Sequence, residues 1–219
     1  MAEEKERRNV LISGASGFIG SNLLEYLYRK YPAYTFVNLD ALTYCGNELN
    51  VSEDIRNDHA RYAFVRGNVV DRELIKWILV KHKIDTILHL AAESSVDYSF
   101  VNSLKFSETN IIGTHQLLQA IYEVFHVDGV QKGFPGLKTC IFVSSDEVYG
   151  SDMKNDAANP YVEHESLLLP TSPYSASKAA AEMLVQASTA VVVCAATLCF
   201  SFLFRGTSRA LDCRRSCYV

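Results

Sequence analysis

NVLISGASGFIG, residues 9–20, is the stretch that decides the fold. Asn9 to Ile12 form a short apolar run that reads as a buried parallel strand. Gly14, Gly17 and Gly20 then lead into a helix in which Leu23, Leu24, Leu27 and Tyr28 recur at helical spacing. Glycines at a strand-to-helix turn let a pyrophosphate approach the amide groups at the helix start. A second apolar run, Thr35 to Leu39, ends in Asp40, about 20 residues after Gly20, where the ribose-binding acid of a dinucleotide fold belongs. A carboxylate there accepts from a ribose 2′-hydroxyl and repels a 2′-phosphate, so NAD is expected over NADP. Three glycines alone match many ordinary turns. Strand, turn, helix, strand and acid in register carry the reading.

Outward from this unit the chain alternates strand and helix. Tyr62 to Val65 is expected as a third strand, followed by Gly67, Asn68 and Val69. A helix over about Asp71 to His82 is expected next, with Asp71 as its N-cap. Asp85 to Leu90 reads as a fourth strand running through Ala91 and Ala92 into a ligand-facing loop. A helix over Ser103 to Tyr122 is expected to turn Leu104, Thr109, Ile112 and Leu117 inward, and Thr139 to Ser144 supplies a fifth strand. The rhythm predicts an α/β, Rossmann-like, doubly wound parallel sheet. Ligands of such sheets lie beyond the carboxyl ends of the strands, where the glycine turn, Ser94 and residues 144–147 all fall.

Two further segments carry chemistry. FVSSDEVYG, residues 142–150, presents a hydroxyl and adjacent carboxylates, and SPYSASKAAAE, residues 172–182, places Tyr174 four residues before Lys178. That spacing puts phenol and ammonium on one helix face, and the lysine charge is expected to pull the phenol's pKa down toward neutrality. The pair suits removal of a proton from a sugar hydroxyl, and the carboxylates suit a second acid–base step. Adjacent side chains in an extended segment point apart, so Asp146 and Glu147 need a bend to act together. Alone, a tyrosine and lysine at this spacing are an ordinary exposed helix pair, and the carboxylates an ordinary solvated turn; the surrounding motifs reverse that weighting. His89 and Tyr149 are expected to pack rather than react.

The chain has 219 residues, 48% of them hydrophobic, which suffices for one domain with a substantial core but is short for two. Net charge is −4 with no basic stripe, so nucleic acid is not an expected partner. The charged N-terminus enters the first strand with no cleavable signal pattern, and a cytoplasmic location is expected. The six cysteines show no zinc-ligand spacing; they are expected as free thiols, and no metal is expected.

SGASGFIGSNL, LDALTYCGN, LHLAAESSVDYS, TNIIGTHQLL, SSDEVYG and SPYSASKAAAE follow one another over about residues 8–186. In order and spacing they resemble the extended short-chain dehydrogenase/reductases that act on sugar nucleotides, and among these the dTDP-glucose 4,6-dehydratase family. LTYCGN and the Asp146–Glu147 pair discriminate most, because related 4-epimerases usually lack that pair. The resemblance implies NAD contacts at Gly14, Gly17, Phe18, Ile19, Gly20, Asp40, Thr43, Gly46, Asn68, Val69, Leu90, Ala91, Ala92, Tyr174 and Lys178. It implies substrate contacts at Ser94, Ser145, Asp146 and Glu147.

It also implies a mechanism. Tyr174, assisted by Lys178, takes the 4-hydroxyl proton as hydride passes from C4 to NAD+, with Ser145 hydrogen-bonded to that hydroxyl. Glu147 removes the C5 proton, Asp146 protonates the departing C6 hydroxyl, and hydride returns to C6. The matching family asparagine positions the active-site helix and lysine through water, which places Asn110 in that role. Asn68 and Ser145 stand where the family usually has Asp and Thr. Ser95 and Tyr98 replace residues often His and Arg in bacterial relatives. The implied partners are a nucleotide sugar, dTDP-glucose or a UDP-sugar, and a second subunit, as a homodimer or as a heterodimer with a full-length form, through the helices at 103–122 and 174–186.

Residues 1–186 are therefore expected as an NAD-binding domain with catalytic motifs, and 187–219 as a divergent apolar, Cys/Arg-containing tail. The family's C-terminal substrate domain is expected to be absent. For the tail, an exposed and poorly ordered segment, a substitute sixth strand at Val191–Thr197 and a membrane anchor over Met183–Phe204 are the alternatives, in that order. Two functions stay open: a 4,6-dehydratase, with 4-epimerase as its nearest rival, and a non-catalytic NAD-binding fragment that pairs with a full-length subunit.

Overall fold

A computed structural model describes residues 7–127, 136–150, 161, 166–189 and 196–200. Strands β1 (Asn9–Ser13), β2 (Thr35–Asp40), β3 (Tyr62–Arg66), β4 (Thr86–His89), β5 (Thr139–Ser144) and β6 (Ala196–Phe200) form one sheet in the order β3-β2-β1-β4-β5-β6. Every pairing is parallel, with Leu11 beside Val37 on one side and Ile87 on the other. The order reverses between β1 and β4, which opens a crevice at their carboxyl ends. The Rossmann-like fold expected from the sequence is the fold observed.

Alternation along the strands builds two cores, one on each face. Leu11, Val37, Leu39, Ile87 and Phe142 pack against α3 (Arg72–Lys81), α6 (Gly113–Tyr122) and Val185 of α7 (Pro173–Thr189). Val10, Ile12, Phe36 and Leu88 pack on the other face against Leu24 and Tyr28 of α1 (Phe18–Lys30) and Ile55 of α2 (Glu53–Asn57). Asp71 caps α3 as expected, its carboxylate accepting from the Leu74 amide at 3.0 Å. Cys45 and Cys140 are thiols in no disulfide, as expected; the remaining cysteine side chains lie outside the described residues.

The long helix departs from expectation. A short α4 (Val96–Val101) precedes it, and the helix runs as α5 (Ser103–Phe106), a π-helical stretch Ser107–Ile112, α6, and a second π-helical stretch Glu123–Val127. The wide π turns rotate the pattern relative to a regular 3.6-residue period. Leu104 and Ile112, expected inside, are 81% and 46% exposed, while Phe106, Asn110, Gly113 and Thr114 face inward with Leu117.

The sheet continues past residue 186. Strand β6 pairs with β5, Phe142 beside Leu198, and begins five residues after the start of the substitute strand expected at Val191–Thr197. Residues 190–195 and 201–219 lie outside the described residues, and with them the rest of the expected tail. Among the described residues no helix is long and apolar enough to cross a membrane.

Gly20 permits the closest approach in this framework. A Cβ there would lie 2.2 Å from the Gly14 carbonyl oxygen, a backbone atom that cannot yield alone. Gly20→Ala should lower unfolding free energy by at least about 2 kcal/mol, against the usual small gain of alanine in a helix. Urea denaturation of the two proteins measures the difference.

Candidate active site

The glycine turn sits where β1 and β4 diverge. Gly14 has φ +79°, and a Cβ on it would come within 2.7 Å of the Ala91 nitrogen, so a side chain is excluded on both counts. The Gly14 amide donates to Leu39 O at 2.9 Å, tying the turn to β2. Helix α1 starts after Gly17 with no side-chain cap and no acid in its first turn. Its first amide groups, at the exposed Phe18 and Ile19, therefore face outward as an anion-binding end.

Asp40, buried at the end of β2, braces this turn. Its Oδ2 accepts from Ser16 N and its Oδ1 from Leu42 N, each at 2.9 Å. Each oxygen keeps a further acceptor site, the capacity a ribose diol requires. The following loop folds back over it: Gly46 N donates to Thr43 O at 3.2 Å, and a Cβ on Gly46 would lie 2.9 Å from Asp40 Oδ1. The glycine cradle, uncapped helix and available acid fit a dinucleotide. Leu90, Ala91 and Ala92 form the opposite wall, with Leu90 N donating to Ser13 O at 3.0 Å. Asn68 is exposed and its oxygen accepts from Val70 N at 3.2 Å, whereas the Val69 side chain is turned into the core against Gly113. Ser94 is exposed, its hydroxyl 3.3 Å from that of Tyr44.

The acid–base residues gather at the end of β5. Ser145 caps a 3-10 turn, Asp146–Tyr149, by accepting from the Glu147 amide at 3.3 Å. That turn supplies the bend that the adjacent carboxylates need, and both act electrostatically on Tyr174. Glu147 is half-buried, and burial followed by the neighbouring Asp146 charge raises its carboxyl above the usual range.

Helix α7 presents Tyr174. Ser172 accepts from Ser175 N at 3.0 Å, Ser175 Oγ accepts from Ser172 N at 2.9 Å, and Pro173 fills the first helical position. The Tyr174 ring meets Phe106 edge-on at 6.4 Å. Its phenol pKa is raised, not lowered as expected from the lysine spacing. Burial is the main cause, the Ser145 hydrogen bond opposes it, and the Glu147 and Asp146 charges add to it. Lys178 Nζ instead donates to Val143 O at 2.5 Å, and burial pulls its ammonium down to about 8.

Behind these residues runs a buried chain of one polarity. Thr114 gives its hydroxyl proton to Asn110 O at 2.7 Å, which leaves it to accept from His89 Nε2 at 3.2 Å. His89 Nδ1 then accepts from Ser13 Oγ at 2.7 Å. The Asn110 side chain clamps Glu93 N and O at 2.9 and 3.0 Å and donates to Ser177 Oγ at 2.8 Å. Asn110 thus links the loop after β4 directly to the residue beside Lys178. His89 packs, as expected, and burial with the nearby Lys178 lowers its pKa to about 3. Tyr149 also packs, stacked on Tyr161 with centroids 5.3 Å apart.

Sequence reasoning passed over Ser13, Thr114, the ion pair between buried Glu93 and Lys105 at 3.0 Å, and Glu182. Only Glu182 had a local signal, four residues beyond Lys178 on the same helix face.

Comparison with known proteins agrees with this geometry. A family profile for GDP-mannose 4,6 dehydratase matches residues 11–210, past the point near 186 where the motif resemblance was expected to stop. A dTDP-D-glucose 4,6-dehydratase of Dictyostelium discoideum is 43% identical over 185 residues, covering 82% of this chain and 40% of the relative. A trifunctional UDP-glucose 4,6-dehydratase/3,5-epimerase/reductase of Arabidopsis thaliana is 45% identical over 183 residues, 82% of this chain and 25% of the relative. The crystal structure of a Bacillus anthracis dTDP-glucose 4,6-dehydratase in complex with NAD superposes with a TM-score of 0.70 at 35% identity, covering 88% of this chain and 54% of that one. The chain thus spans about half the length of the solved structure and less of these curated relatives.

The buried histidine sets an acid limit. Its folded-state pKa, about 3, lies below the value of 6.5 for an unperturbed imidazole, so the unfolded chain takes up a proton that the fold refuses. Its stabilising contribution is complete above pH about 6.5 and should fall by about 2 to 3 kcal/mol by pH 4.5. Urea unfolding across that range should show the loss, and His89→Gln should flatten the slope.

Proposed function

The chain belongs to the GDP-mannose 4,6 dehydratase family, and from that footing we propose that its site performs the acid–base steps of an NAD-dependent nucleotide-sugar 4,6-dehydratase. The observation that carries the reading is the capped turn at Ser145, which brings two carboxylates and a hydroxyl within electrostatic reach of Tyr174. A 4-epimerase has no use for a second acid–base pair. The Dictyostelium and Bacillus proteins, named as dTDP-glucose 4,6-dehydratases, support the same chemistry.

The glycine turn, the start of α1 and Asp40 would hold the dinucleotide, and the similar Bacillus protein is a complex with NAD. Bound there, NAD supplies the hydride acceptor and donor. The chain supplies the proton transfers. Ser145 and Tyr174 engage the 4-hydroxyl, the phenol taking its proton with Lys178 in support. Oxidation at C4 acidifies the proton at C5, and Glu147 removes it; its raised pKa makes it a stronger base than an ordinary carboxylate. Asp146, on the exposed side of the same turn, protonates the departing C6 hydroxyl. Tyr174 starts from a raised pKa, so a cationic Lys178 is what the reaction needs from its neighbour. The nucleotide is a thymidine or uridine diphosphate, as the names of the two curated relatives suggest, and a cytoplasmic location is part of the same proposal.

A second reading rests on a surface. Phe100, Val101, Leu104, Ile112 and Met183 are all exposed on α4, α7 and the long helix. Apolar side chains in that number call for cover, and we place a second subunit there, either another copy or a longer relative. In that arrangement a chain without turnover of its own still binds NAD.

Incubation with NAD and either dTDP-glucose or UDP-glucose should yield a 4-keto-6-deoxy sugar nucleotide, lighter by one water. Asp146→Asn and Glu147→Gln should each reduce it about 100-fold or more while leaving NAD affinity unchanged in calorimetric titration. An epimerised hexose in place of the dehydrated product would refute the dehydratase reading. Leu104→Glu should shift a sedimenting dimer to monomer.

A further inference from the structure

Glu182 lies one helical turn beyond Lys178 on α7 and is only 5% exposed. A buried carboxylate persists in a fold only where donors satisfy it. Ser144 Oγ donates to its Oε2 at 3.0 Å, and Gln186 Nε2 donates to its Oε1 at 3.2 Å. Ser144 and Gln186 are neutral donors that fix the carboxylate in place without adding a counter-charge of their own. Glu182, Ser144, His89, Thr114 and Lys178 line one small cavity behind the carboxyl end of β5. Nothing in the acid–base chemistry derived above uses this carboxylate.

Lys178 has a matching difficulty. Its Nζ is buried against Val143 O, a neutral acceptor that favours the ammonium as a dipole but supplies no counter-charge. Buried lysines without a counter-charge fall to a pKa of about 5 to 6 and are then neutral at pH 7. Among the described residues, the other ionisable groups near the lysine are engaged elsewhere. His89 from β4 is neutral, Glu93 from the loop after β4 is paired with Lys105 of α5, and Asp146 and Glu147 act on the phenol.

We propose that Glu182 is a positioning residue for the Tyr174–Lys178 pair, its buried carboxylate keeping an ammonium rather than an amine behind the phenol. Burial lowers the Lys178 pKa, and the Glu182 charge is the force that opposes it, leaving a value of about 8. That value keeps the ammonium as the main form at pH 7. Ser144 directly precedes the capping Ser145, so the same contact also ties the carboxylate to the capped turn. The inference rests on the reading of Tyr174 and Lys178 as the proton-transfer pair.

The test is direct titration of the lysine in the full chain. With 13C at the lysine Cε, the Lys178 resonance, identified by its loss in Lys178→Met, should titrate near 8. In Glu182→Gln the midpoint should fall by about one unit or more, and Glu182→Asp, which keeps the charge, should recover most of that shift. The alkaline shift of the Tyr174 phenol midpoint should follow in Glu182→Gln. A lower melting temperature in both variants with an unmoved Lys178 midpoint would mark Glu182 as merely structural and overturn the proposal. A wild-type midpoint below about 6 would overturn it without any variant. Shifted midpoints in a chain that dehydrates no sugar nucleotide would support the proposal and sink the functional reading alone.

Discussion

The backbone of Gly14 lies against Leu90 and Ala91 too closely for any side chain to stand between the ends of β1 and β4. That contact sets the crevice where the sheet order reverses, and the other site elements take their places from it. The Ser13 carbonyl receives the Leu90 amide, the Gly14 amide reaches back to Leu39, and Asp40 holds the turn from its far side through Ser16. A parallel sheet exposes polar backbone at its carboxyl edge, and here that edge is closed by side chains and turns that leave ligand-sized donors and acceptors available.

The other end of the crevice, at β5 and α7, is held by a different device. The hydrogen-bonded chain from Ser13 through His89 and Thr114 to Asn110 crosses from the dinucleotide turn to the helix that carries Tyr174. It has one proton direction throughout because Thr114 spends its only proton on a carbonyl. A neutral histidine is the one state compatible with that direction, and burial enforces it. The network therefore positions the active helix without placing a charge beside Lys178. Burial moves the two pKa values in opposite directions, favouring the neutral form of both the Tyr174 phenol and the Lys178 amine. A phenol of this kind becomes a base only if something keeps the amine charged, and the buried carboxylate one turn away is placed to do so.

Relatives of this chain extend well beyond it, and it corresponds to about half of the Bacillus structure. The described residues contain the carboxyl ends of β1 to β6, with β6 beside β5. What the family relationship adds is chemical identity: two adjacent carboxylates after β5 become a proposed elimination site rather than a solvated turn.

Much of this was legible in the chain itself. Periodicity and glycine spacing determined the strands, the turn at Gly14 to Gly20 and the acid at Asp40, because these follow from local backbone geometry and from apolar runs of strand length. The motifs likewise grouped Ser145, Asp146, Glu147, Tyr174 and Lys178 as one expected site, and the fold brings the hydroxyl and both carboxylates to Tyr174. Tertiary structure alone decided which face of the long helix is inside, because the π turns around Asn110 displace a period that any regular reading assumes. It alone decided the charge states, since the phenol's pKa is set by how far folding removes Tyr174 from water and by carboxylates brought to it on the turn after β5, not by its spacing from Lys178. Residues such as Ser13, Thr114 and Glu93 carry no signature because their roles are contacts made across the fold. Short-range order is written in sequence spacing, whereas burial and the electrostatics it governs exist only after distant segments have met.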